Sequence, residues 1–155
     1  MAIKTSDGFA YHVNNTGSMR DALGMGGNKG LLKVYQGTVP TNPNAAVNAT
    51  DLLLTYSLNG AGTGLTLLPH ATDKRTVIKD SAETWQGTVA KTGTATFYRF
   101  VRHTGDDGTL SDTQQRVQGT VGSSASDDLY LSNPVLTAGE VRALTAFAMT
   151  LPNPT

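Results

Sequence analysis

The chain has 155 residues, with 12 Lys and Arg against 12 Asp and Glu, three His and no Cys. That suits one domain and excludes disulfides, thiol nucleophiles and cysteine-bound zinc. The neutral balance, with a pI near 6.8, also speaks against nucleic acid as the main partner, because phosphate binding needs a surplus of cations on one face.

Only 15% of the residues are charged, where an ordinary domain carries about 25%. The 23 Thr, 17 Gly, 9 Ser and 9 Asn therefore supply much of the polar surface. Threonine is β-branched, loses rotamer freedom in a helix and fits a pleated surface, so the composition points to an all-β protein. No run of 18 apolar residues is present to span a membrane. Met1 to Gly8 lacks the apolar stretch and cleavage site of a secretory signal, so synthesis in a cytoplasm without export is expected.

Residues 1–30 are rich in Gly, Asn and Met and read as an N-terminal arm ahead of a 31–155 body. Phe9, Tyr11 and Val13 fall on one side if Phe9 to Val13 is extended. Ser18, with Asp21 three residues on, opens a short helix through Met19, Ala22 and Leu23 that Gly24 ends. Gly24 to Gly30 reads as a flexible joint.

From Leu31 the pattern becomes short apolar runs divided by turns. Leu31 to Tyr35 is followed by a loop with Pro40 and Pro43, then by the run Leu52 to Leu58. Asn59-Gly60-Ala61-Gly62-Thr63-Gly64 gives a turn, with Leu65 to Leu68 beyond it. Thr76 to Lys79 and Glu83 to Ala90 come next. The strongest run, Thr94 to His103, sets Phe97, Arg99, Val101 and His103 against Tyr98, Phe100 and Arg102, so both faces are at least partly covered. Arg116 to Val121, Asp128 to Leu131, Pro134 to Leu136 and Val141 to Leu151 complete the series. A helix competes for the last run, because Thr137 to Glu140 resembles a capping box. The sustained alternation through Thr145, Phe147 and Met149 favours a strand.

About ten short strands with turns between them indicate an antiparallel β-sandwich, jelly-roll-like, of about eight to ten strands, with an extended N-terminal arm carrying a short helix.

Reactive constellations are sparse. His12, His70 and His103 show no metal-ligand spacing, and no Gly-x-Ser-x-Gly elbow is present, so neither a metal, a cofactor nor a catalytic residue is expected. Asp106, Asp107 and Asp112 with Gly108 read as a hairpin tip in preference to a calcium loop, whose twelve-residue ligand spacing is absent. Lys29 is followed by Gly30 where a P-loop needs Ser or Thr. Arg99 and Arg102 flank Phe100 in the way that grips single-stranded nucleic acid, yet without a wider positive field they read as structural ion pairs. Trp85, Phe97, Tyr98, Phe100 and Phe147 would serve a sugar-binding face if exposed, but their spacing suits packing within the sandwich.

The order of features carries a resemblance. An arm with Met19-Arg20-Asp21-Ala22-Leu23 precedes Leu31 to Pro40 and Ala45 to Leu54. Glu83-Thr84-Trp85-Gln86-Gly87-Thr88, Gly93 to Phe100, Val117 to Gly122 and Asp128-Leu129-Tyr130-Leu131 follow. Across nearly the whole chain this resembles a family of small structural proteins encoded in the head gene clusters of tailed bacteriophages. The resemblance implies a non-enzymatic virion component, a capsid decoration or cement protein on the capsid surface that binds the major capsid protein. Head-to-tail joining and a tail role are alternatives within that family's setting, and a glycan-binding module displayed on the virion is a further one. Shell symmetry and the low surface charge add the expectation of a homotrimer. In this setting Ile3, Phe9, Tyr11, Val13, Met19 and Leu23 are the candidate interface residues of the arm, since ordering it requires burial of apolar surface in return.

Overall fold

A computed structural model of the chain describes residues 3–23, 29–102 and 106–151. In chain order the elements are β1 (Lys4–Thr5), α1 (Asp7–Asn15), α2 (Met19–Ala22), β2 (Leu31–Tyr35), β3 (Leu52–Leu58), β4 (Leu67–Pro69) and β5 (Thr76–Lys79). They continue with β6 (Trp85–Thr88), β7 (Gly93–Thr94), β8 (Phe97–Val101), β9 (Arg116–Gly122), β10 (Leu129–Tyr130), β11 (Val135–Leu136), β12 (Val141–Leu144) and β13 (Ala148–Thr150). The fold is all-β, as composition and alternation indicate.

An eight-stranded sheet runs β1-β9-β8-β2-β3-β6-β12, with β10 added parallel to β9. A three-stranded sheet runs β13-β5-β4, and β7 pairs with β11. β8 lies near the centre of the large sheet, hydrogen-bonded to β2 and β9, and all five of its residues are buried. Its alternation sorts them: Tyr98 and Phe100 enter the main core, while Phe97 stacks on Tyr35 of the neighbouring strand with ring centroids 5.0 Å apart. The core joins the two sheets, combining Leu32, Val34, Leu54 and Trp85 of the large one with Leu67, Val77 and Met149 of the small one.

The N-terminal segment corrects the sequence reading. Phe9 to Val13 is not extended; it lies within α1. The reason is that Phe9 and Val13, four residues apart, satisfy a helical period as well as an alternating one, and only Tyr11 distinguishes the two. In the helix Tyr11 turns outward and is 68% exposed, while Phe9 is buried. α2 follows expectation, with the Ser18–Asp21 capping box complete. The described part of this segment lies on the body: β1 pairs with β9, and Phe9, Met19, Ala22 and Leu23 belong to the core. Gly8 permits the close approach, because a Cβ there would meet the Thr113 carbonyl oxygen at 2.2 Å. The expected joint falls mostly outside the described residues, and Gly30 at its end bridges Leu65.

Ser6 ties the segment down. Its buried hydroxyl donates to Gln114 O at 2.6 Å and accepts from Phe9 N at 3.2 Å and Arg116 N at 2.9 Å. Ser6→Ala removes a helix cap and takes the side-chain acceptor from the buried amides of Phe9 and Arg116, so a loss of about 1–3 kcal/mol is expected in urea denaturation.

Val141 to Leu151 forms strands, but two instead of one. β12 ends the large sheet and β13 borders the small one, and Thr145 to Phe147 carries the chain between them. The alternation conceals this step because Phe147 stays inward, with its ring centroid 5.7 Å from that of Trp85 and 6.0 Å from that of Phe100. The competing helix does not form. Thr137 to Glu140 is a turn, with Glu140 N donating to Thr137 O and Gly139 at φ 86.

Candidate functional site

The face of the large sheet turned away from the main core carries an unusual row. Cross-strand register sets Lys4, Gln118, Arg99 and Lys33 side by side, with Arg116 two residues from Gln118 on the same face. Loop residues 37–48 and 106–113 cover them and supply backbone carbonyls. Lys4 Nζ donates to Thr41 O at 3.0 Å, Gln118 Nε2 to Pro40 O at 2.7 Å, and Arg116 to Pro43 O at 3.1 Å and Thr109 O at 2.8 Å. Arg116 also holds Asp106 through two 2.7 Å bonds, both side chains being almost wholly buried.

Arg99 differs. Its Nε donates to Gln118 Oε1 at 3.0 Å, whereas the buried Nη1 and Nη2 have no hydrogen-bond partner among the described residues. Burial, with the Arg116 charge beside it, pulls its pKa down to about 10, yet it remains a cation at neutral pH. Replacing an unpaired buried charge with an apolar chain of similar reach relieves that desolvation. Arg99→Met is expected to leave stability unchanged or raise it by up to about 2 kcal/mol in thermal denaturation.

The residues singled out by sequence are scattered. Among the described residues Arg99 and Arg102 form none of the expected ion pairs; the side-chain partners seen there are the amide oxygens of Gln118 and Gln115. Asp106 is sunk against Arg116, and Asp107 caps its own turn by accepting from Thr109 N and Oγ1, so neither is set up as a calcium ligand. His12 lies in α1, His70 Nδ1 faces the amides of Thr72 and Asp73, and His103 lies outside the described residues. Trp85, Phe97, Tyr98, Phe100 and Phe147 are all buried, which removes them as a sugar-binding face. Of the six arm residues, Phe9, Met19 and Leu23 are in the core, Ile3 and Val13 pack partly buried against it, and Tyr11 alone is largely exposed.

A groove that sequence reasoning did not find lies where the two sheets meet. Tyr130, 58% exposed, stands between depressions of about 570 and 190 Å³, lining both together with Leu144 and Thr145. Its position follows from β10: Leu129 points into the core, so the next residue points out. The signal was present in Asp128-Leu129-Tyr130-Leu131, whose alternation puts the two leucines on one side and Tyr130 with Asp128 on the other.

Chemically, the ionisable groups of the interior serve as ties. Glu83 accepts from Thr66 N, Thr66 Oγ1 and Trp85 Nε1, and these bonds outweigh its desolvation to hold its carboxyl below the usual range. Burial pushes the Tyr35 and Tyr56 phenols up to about 12 and Tyr98 higher still, so these three supply no base near neutral pH. Among the described residues no three of His, Asp or Glu converge as metal ligands, and no helix is long and apolar enough to cross a membrane. Compared with known protein families, characterised proteins and solved structures, the chain matches none.

Proposed function

We propose that the chain is a non-enzymatic structural protein of a tailed-phage particle, a decoration or cement protein that adheres to the major capsid protein on the outside of the head as a homotrimer. The setting comes from the resemblance in the order of sequence features. The observation that carries adhesion over catalysis is the open edge at β12. Val89 N donates to Glu140 O at 2.8 Å, which sets the phase of the ladder: the backbone N–H and C=O of Arg142 face β6 and those of Val141 and Ala143 face outward. An edge of this kind is a template for pairing with another chain. Val141 is 60% exposed on it, and Val135, half exposed, is close by, its carbonyl accepting from Arg142 Nη2.

A density map of intact particles tests the reading. Density for this chain on the outer head surface, in groups of three with β12 against a neighbouring subunit, is expected; its location in the tail, or its absence from the particle, would overturn it. Val141→Asp is expected to lower occupancy on heads at least tenfold while leaving the melting temperature unchanged, because the side chain it replaces lies outside the core. Occupancy is read by co-sedimentation of the purified variant with heads.

A further inference from the structure

We propose that the groove around Tyr130 is a binding site for a neutral saccharide. The inference rests on the groove alone and holds whether or not the chain decorates a head. The larger depression is lined by the apolar Leu129 and Leu144, which are buried, and by the more exposed polar residues Ser81, Thr145 and Asp127. A pyranose ring is matched to such a surface: one face presents C–H groups that stack on an aromatic ring, and its edge presents hydroxyls that need polar partners. Tyr130 supplies the ring at the boundary of the two depressions, so successive sugar units of a short glycan have a place on either side of it. The larger volume, about 570 Å³, is of the order that suits small ligands held by apolar surface and a few fixed polar groups.

Asp127 is fixed for the purpose. Its Oδ2 accepts from Ser124 N at 3.0 Å, which sets the orientation of the carboxylate, and an ionised carboxylate accepts at several lone-pair positions. The charge pattern excludes an anionic ligand. Of the two cations at the groove, Lys79 gives its ammonium to the carbonyls of Asp80 and Glu83, and Arg142 lies 3.2 Å from Glu140. Asp127 and Asp128 both line the larger depression, so sialylated or phosphorylated groups are repelled. A protein partner over the same rim would desolvate carboxylates without the compensating hydroxyl donors that a sugar brings.

The test uses the full chain with glucose, galactose, N-acetylglucosamine and their β-linked disaccharides in saturation-transfer NMR, followed by an array of neutral and sialylated glycans. Saturation transfer to at least one neutral sugar is expected at up to about 10 mM. Tyr130→Ala should weaken that sugar about tenfold with the melting temperature unchanged, and Tyr130→Trp should restore binding. Absence of transfer to every neutral sugar, binding confined to sialylated glycans, or undiminished binding by Tyr130→Ala would each overturn the proposal. So would occupation of the groove by a capsid-protein segment in the particle map with no glycan bound by the free chain.

Discussion

Arg116→Met is expected to destabilise the protein by about 3–5 kcal/mol, the range for breaking a buried ion pair from one side. Arg116 makes more ties than any other side chain of the cationic row: two to Asp106, one to Pro43 O and one to Thr109 O, with a longer contact to Asn44 O at 3.4 Å. Removing the guanidinium leaves the Asp106 carboxylate, its side chain 1% exposed, buried without its cation and with the Gly108 amide as its remaining donor, and takes from Pro43 O and Thr109 O the donor that satisfied them. The measurement is urea denaturation of Arg116→Met, Asp106→Asn and the double variant. The double should recover part of the loss, because a neutral amide is cheaper to bury than an unpaired carboxylate. A single-variant loss under about 1 kcal/mol would show that the pair contributes little beyond its own desolvation.

Trp85→Ala should destabilise to a similar extent by another route. Trp85 is fully buried at the junction of the two sheets, tilted against Phe100 and Phe147, with the Lys79 ammonium 5.8 Å above its ring. Its Nε1 also donates to Glu83 at 2.9 Å. Truncation opens a cavity and removes a donor from Glu83 together, so a loss of about 3–5 kcal/mol is expected. For a chain of this length that lowers the melting temperature by about 6–20 °C. Calorimetry of Trp85→Ala beside Tyr130→Ala makes the comparison sharp: the first should fall and the second should not, since Tyr130 lies on the surface.

Where sequence and structure agree, a local rule decides the outcome. The Ser18–Asp21 box needs only residues three apart. The turn at Asn59-Gly60 needs two residues that tolerate positive φ, which are observed at 53 and 70. The burial of β8 on both faces follows from apolar residues on both sides of its alternation. The mismatches arise where two arrangements share one pattern. Phe9 and Val13 suit helix and strand alike, and the cap at Ser6 together with contacts to residues 113–116, more than a hundred positions away, settles the question. The crossing at Thr145 to Phe147 leaves alternation intact while exchanging one sheet for another. Arg99 was legible as a strand residue, but what its guanidinium meets depends on which loop covers it, and loop paths do not follow from periodicity. Tyr130 was readable as outward-facing, whereas the depressions beside it exist only because two sheets meet there.

Gln118, Lys4 and Arg116 grip Pro40, Thr41 and Pro43 by their main-chain oxygens. Every amino acid carries that oxygen, so the grip recognises a trajectory and is indifferent to identity. At Thr41, whose side chain is exposed, evolution or an engineer is therefore free to change the chemical character of the outer surface without loosening the scaffold beneath. An inserted residue, which would shift those oxygens out of reach, has no such licence.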